Sequence, residues 1–206
     1  QEGGAFSFEE WIRPHQPMRR DKFCAKWGLD PKRPIYTYLT SSNSISGTEA
    51  HAIEQWRNSI NIADVLVHEK PNLVIRPHPD KIHLLAGIPG VKAIPNVSEG
   101  VFTEDSFDLA YSTYFHSEAL YGINSSAMIE AMLVGRPVYA LDVQNDSKST
   151  LGWQSSLHFQ QLLPLLDGNG HKKIMEWLGI GKKLPSEVIL DIISNILANK
   201  PTKMFK

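Results

Sequence analysis

The sequence predicts an α/β domain, a parallel sheet with helices on both faces. Three observations predict it. Short β-branched and aromatic runs alternate with segments of helical period. The stretch from Ala119 to Val143 reads strand, turn, helix, strand, with Gly135 and Pro137 where the helix should end. The composition is ordinary for a globular chain, with 42% apolar and 21% charged residues among 206.

Residues 1–34 hold Pro14, Pro17, Pro31 and Pro34 and no sustained period, so they are expected to form a connecting arm. One short helix is expected there, Arg20 to Trp27, ended by Gly28. Ile35 to Thr40 is β-branched and aromatic, hence a strand. The serine-rich loop Ser41 to Gly47 follows, and Ser46 with Glu49 has capping-box spacing. Ile53, Trp56, Ile60 and Ala63 then share one helical stripe.

Asn72 to Arg76 is a short apolar strand running into Pro77-His78-Pro79, and Val91 to Ile94 is a further strand. A short helix is expected from Glu104 to Tyr111. Ala119 to Ile123 reads as a strand, Asn124-Ser125-Ser126 as a turn of helix-capping residues, and Ala127 to Val134 as a helix. Val138 to Leu141 is the next strand. Two helices close the chain, the second starting at Ser186 and stopping before Pro201. The expected organisation is an arm over 1–34 and one domain over 35–206.

Several function classes drop out. Lys plus Arg is 21 against 22 for Asp plus Glu, far from the basic excess of a nucleic-acid binder. Cys24 is the single cysteine, so no intrachain disulfide forms. No apolar run reaches the ~18 residues of a membrane span. The first twenty residues carry arginines but no apolar stretch of a secretory signal. The chain has no initiator Met and reads as a piece of a longer, cytoplasmic protein. Beyond His171 seven lysines face three acids. They read as a solvated face or as a patch touching the inner face of a membrane.

In an open parallel sheet, ligands bind beyond the carboxyl ends of the strands. Three segments fall there: Ser41–Gly47, Arg76–Asp80 and Asn124–Glu130. Ser125 and Ser126 either cap their helix or, with its free amides, hold an anion. Glu130, one turn in, can accept both hydroxyls of a ribose or be a solvated helix position.

Pro77 and Pro79 fix the backbone around His78 and remove two amide donors. The His78 ring can donate to a phosphate or move a proton, or it simply tips a stiff turn. Arg76 can pair with a phosphate. Ser41 and Ser42 can cradle one through amides and hydroxyls, or belong to a plain connection. Glu104, Asp105 and Asp108 are solvated acids or a divalent-cation site. P-loop, His-Glu-x-x-His and Gly-x-Ser-x-Gly patterns are absent.

Arg76-Pro-His-Pro79, followed by Gly122-Ile-Asn-Ser-Ser-Ala-Met-Ile-Glu-Ala-Met-Leu-Val-Gly-Arg-Pro-Val138, resembles bacterial GT-B glycosyltransferases. The nearest in pattern are the capsule-polysaccharide transferases and the glycerophosphotransferases of teichoic acid synthesis, and the likeness covers about residues 35–143. The glycerophosphotransferases usually have an Asp where this chain has Asn124.

The resemblance implies a Rossmann-like C-terminal GT-B half that binds a nucleotide-activated sugar donor, with no metal or other cofactor. It implies donor phosphate contacts for His78, Ser125 and Ser126 and a ribose contact for Glu130, with His78 as the catalytic residue. A polysaccharide or glycan acceptor would be held by an N-terminal half that this chain lacks. Two other readings stand beside it: a nucleotide-sugar epimerase of the same architecture, and a non-catalytic nucleotide- or carbohydrate-binding module.

Overall fold

The computed structural model describes residues 8–41, 49–64, 70–78, 88–95, 103–123 and 125–141, together with 184, 186, 187, 190, 191 and 194. The elements are α1 (Glu9–Ile12), α2 (Arg20–Trp27), β1 (Ile35–Leu39), α3 (Glu49–Asp64), β2 (Asn72–Arg76), β3 (Val91–Ala93), α4 (Glu104–His116), β4 (Ala119–Gly122), α5 (Ser126–Leu133) and β5 (Val138–Ala140). The five strands form one sheet in the order β3-β2-β1-β4-β5. Every pairing is parallel. This is the predicted α/β, Rossmann-like class. The order reverses between β1 and β4, the place where a doubly wound sheet opens a crevice at its carboxyl edge.

Strand alternation decides which side chains each helix covers. Tyr38, Leu73 and Ile75 meet Ala52, Ile53, Trp56 and Ile60 of α3. On the opposite face Leu39, Leu120 and Val138 meet α4 and α5, with Trp11 of α1 filling the same cluster. Ile35 and Val74 meet Phe23 and Cys24 of α2 and Leu109 of α4. Full burial of each such aliphatic or aromatic side chain contributes roughly 1.5–3 kcal/mol. With two faces buried, β2 reads as continuous apolar sequence rather than alternating.

The segment before β1 is built into this core. Besides Trp11 and Phe23, it is tied by polar contacts. Arg20 donates to the carbonyls of Pro31, Arg33 and His116 at 3.0, 2.7 and 3.0 Å. His116 Nε2 donates to the Met18 carbonyl at 2.6 Å. Asn72, at the start of β2, donates to the Asp30 carbonyl and accepts from the Asp30 amide. The short helix α1 is an element that sequence periodicity did not indicate. Its Glu9 accepts from the Ser186 hydroxyl at 2.5 Å and amide at 2.9 Å, so it caps the helical turn that starts there.

Both observed helix ends that carry glycine follow from the chain's need for a left-handed residue. Gly28 has φ +63° and Gly135 φ +81°. At Gly135 the amide bonds to the Met132 carbonyl and the Arg136 amide to that of Ala131, the two bonds of a Schellman motif. α4 runs to His116, five residues beyond its expected end. Thr113 and Ser117 would ordinarily argue against that extension. Their hydroxyls instead donate back to the Leu109 and Thr113 carbonyls, each at 2.7 Å, and need no other acceptor.

Ser186, Glu187, Leu190, Asp191 and Ser194 are helical, as expected for the second closing helix. The first lies outside the described residues. Among the described residues no helix is long and apolar enough to cross a membrane.

Candidate functional site

A cleft of about 220 Å³ opens at the carboxyl edge of the sheet where β1, β2 and β4 end. Arg76, His78, Ser125, Ser126 and Glu130 all line it, so two of the three expected segments, those after β2 and β4, meet there. Thr40, Ala110, Tyr114 and Ala127 complete the wall with Pro77.

Arg76 is the last residue of β2 and is buried. The proline after it favours extended backbone at Arg76. Its carbonyl accepts from the Thr40 amide at 3.2 Å. Its guanidinium carbon lies 5.8 Å from the centre of the Tyr114 ring, a cation–π distance. Pro77 has no amide, so the ladder stops there. The His78 amide donates to Thr40 Oγ1 at 2.6 Å. The backbone at His78 is thus held by the protein, and the residue lines the cleft.

Ser125 is the N-cap of α5, its hydroxyl accepting from the Ala127 amide at 3.3 Å. The capping role is therefore real, and it sits on the cleft wall together with exposed Ser126. The positive end of α5 and two hydroxyls face the same space as Arg76 and His78, an arrangement suited to a multiply charged anion. Asn124 lies outside the described residues.

Glu130 is not a solvated helix position. It is partly buried on the cleft wall, and its Oε2 accepts from the Tyr114 hydroxyl at 3.0 Å. Burial pushes its carboxyl above the usual carboxylate range, while the Tyr114 hydroxyl and the Arg76 charge pull it partly back. Burial and then the Glu130 charge push the Tyr114 phenol well up, so its proton stays in place and is donated. Tyr114 is a polar cleft residue that the sequence did not reveal. It sits in the part of α4 beyond the expected helix end, and nothing local marks a tyrosine whose partner is 16 residues away.

Ser41 is buried, and it is not among the residues lining the cleft. Its amide donates to both oxygens of Glu49, at 3.2 Å each, and Glu49 also accepts from the Tyr38 hydroxyl at 2.9 Å. The Ser41 amide is thereby committed to closing the start of α3. Ser42 lies outside the described residues, as do Ser46 and the lysines at the end of the chain. Glu104 and Asp105 occupy the first turn of α4, where they complement the helix dipole. Asp108 pairs with His15 at 3.0 Å. Among the described residues no group of three His, Cys, Asp or Glu could hold a metal ion.

No family model and no curated protein matches the sequence. Among solved structures the chain is similar to Escherichia coli ADP-heptose LPS heptosyltransferase II, with a TM-score of 0.40 and 16% identity. That likeness covers 61% of this chain and 38% of the other. It is also similar to Thermosulfurimonas dismutans KpsC, a β-Kdo 2,4 transferase, with a TM-score of 0.33 and 14% identity over 65% of this chain and 49% of that one. The matched regions span less than half the length of either protein.

Proposed function

We propose that this chain is the donor-binding half of a GT-B-type glycosyltransferase. It would hold a nucleotide-activated sugar whose sugar, or sugar-like group, passes to a glycan such as a surface polysaccharide. The observation that carries this reading is the mixed polarity of one cleft, whose wall holds Arg76, His78 and the start of α5 together with the Glu130 carboxylate. A bare anion would be repelled by Glu130. A nucleoside phosphate satisfies both polarities, because its phosphates meet the cationic and hydroxyl groups and its ribose hydroxyls donate to the carboxylate.

In this reading the acceptor hydroxyl attacks the anomeric carbon and the sugar–phosphate bond breaks. The electron pair leaves on the phosphate oxygen. Arg76, His78, Ser125 and Ser126 would stabilise that developing charge with groups already in place. His78 can donate a hydrogen bond or a proton to the departing phosphate. The base that takes the acceptor's proton, and the acceptor's own site, would come from the other half of the enzyme.

Calorimetry with CMP, CDP, UDP and GDP tests the proposal. At least one should bind, with no sugar transfer by this chain alone. Absence of heat with all four at millimolar concentration would overturn it.

A further inference from the structure

The position of Tyr114 is set from several sides. It lies on α4, the residue is 1% exposed, and Trp11 packs on its ring with centroids 5.4 Å apart. The Arg76 guanidinium carbon lies 5.8 Å from the same ring. A ring packed in this way has little torsional freedom, so its hydroxyl is a fixed point on the cleft wall. That hydroxyl is the one donor among the described residues that reaches the Glu130 side chain. A glutamate has three side-chain torsions, and free in solvent it would sample many carboxylate positions.

We infer that Tyr114 is a positioning residue of the cleft. Its hydroxyl fixes the Glu130 carboxylate where it receives the hydroxyls of a bound nucleoside, and its ring supports the Arg76 side chain that meets the phosphates. The inference rests on the donor-cleft reading above. It makes a separable claim, because Glu130 meets the hydroxyl alone, whereas Arg76 meets both the hydroxyl and the ring. Tyr114→Phe removes the support of Glu130 and keeps the ring under Arg76.

The experiment is calorimetry on the whole chain with two probes, the best-bound nucleoside diphosphate and inorganic pyrophosphate. Tyr114→Phe should weaken the nucleoside diphosphate about tenfold, the size of one hydrogen bond to a charged group. Pyrophosphate affinity should fall clearly less, because the ring still supports Arg76, an outcome that loosening of the whole site would not produce. Equal losses for both probes, or no loss for either, overturn the inference while leaving the donor-cleft reading intact.

Failure of the unsubstituted chain to bind either probe overturns both readings. Binding of pyrophosphate alone removes the role given to Tyr114 and Glu130. Should Tyr114→Phe not fold, Glu130→Gln tests the pair from its other member. The amide should lose about tenfold for the nucleoside diphosphate and bind pyrophosphate at least as well, since the repelling charge is gone. Unchanged nucleoside affinity in that variant also overturns the inference, since Tyr114 acts on the ligand through Glu130.

Discussion

The His78 amide donates to Thr40 Oγ1 at 2.6 Å, which ties the exit of β2 to the exit of β1. The Thr40 amide returns a bond to the Arg76 carbonyl at 3.2 Å. Two strand ends that carry cleft-lining residues are therefore locked in register beyond the sheet itself. The lock uses only the backbone of His78, so the imidazole plays no part in it.

That separation makes His78→Ala informative. The amide bond survives the substitution, and stability should change by less than about 0.5 kcal/mol. A contact from the ring to phosphate is worth roughly 1.5–3 kcal/mol. Nucleotide affinity should fall about 10- to 100-fold. Calorimetry and thermal unfolding of one purified variant measure both quantities. A lowered melting temperature with unchanged affinity would assign His78 to the fold alone.

Much of the cleft lining was legible because its residues sit at strand ends, which local patterns mark well. Asn72–Arg76 and Arg20–Trp27 have the boundaries the sequence indicates. The helix after β4 starts at Ser126 rather than Ala127, with Ser125 as its cap. The roles of Glu130 and Tyr114 were harder to read, because both depend on how α4 packs beside α5. Helical period says which face of α5 is apolar, but it does not say that a phenol from another helix meets its carboxylate. The pairing of Glu49 with the Ser41 amide was hidden for the same reason. Capping-box spacing points Glu49 at its own helix start, and the fold also places it beneath the end of β1.

Buried His116 gives a pH prediction. Burial, first, holds its imidazole below the ordinary value of 6.5, while the bond to the Met18 carbonyl works in the opposite direction. The unfolded chain therefore binds this proton more readily than the folded one. The contribution is fully present above pH 6.5 and is lost as pH falls through the lower folded value. His116→Gln can keep a donor for Met18 and does not titrate. Between pH 7 and 5 its urea midpoint should fall less than that of the unsubstituted chain. Parallel pH curves for the two proteins would show that His116 does not titrate differently on unfolding.

Gly122 and Gly135 should fail for different reasons. A Cβ at Gly122 would lie 2.9 Å from the Leu39 carbonyl oxygen and 3.0 Å from Met128 Sδ. Gly122→Ala should cost about 1–3 kcal/mol through overpacking. A Cβ at Gly135 meets nothing within 4 Å, but φ is +81°. Gly135→Val should cost about 1–2 kcal/mol through backbone strain. Asn tolerates left-handed backbone, so Gly135→Asn should recover most of that loss, whereas Gly122→Asn should be worse than Gly122→Ala. Denaturant midpoints of the four variants separate the two causes. Equal costs for Asn and Val at position 135 would remove the conformational account.

The bond between Glu9 and Ser186 spans 177 positions, and that span has a consequence in time. A ribosome adds about 5–20 residues per second, so Ser186 is made roughly 9–35 s after Glu9. Through that interval the carboxylate must be accommodated without the serine. Arg13, one turn along and 2.6 Å away, can neutralise it as soon as α1 exists. The nascent chain can thus seat Trp11 against α4 and α5 before the helical turn at Ser186 exists. That turn then docks onto a receptor already waiting.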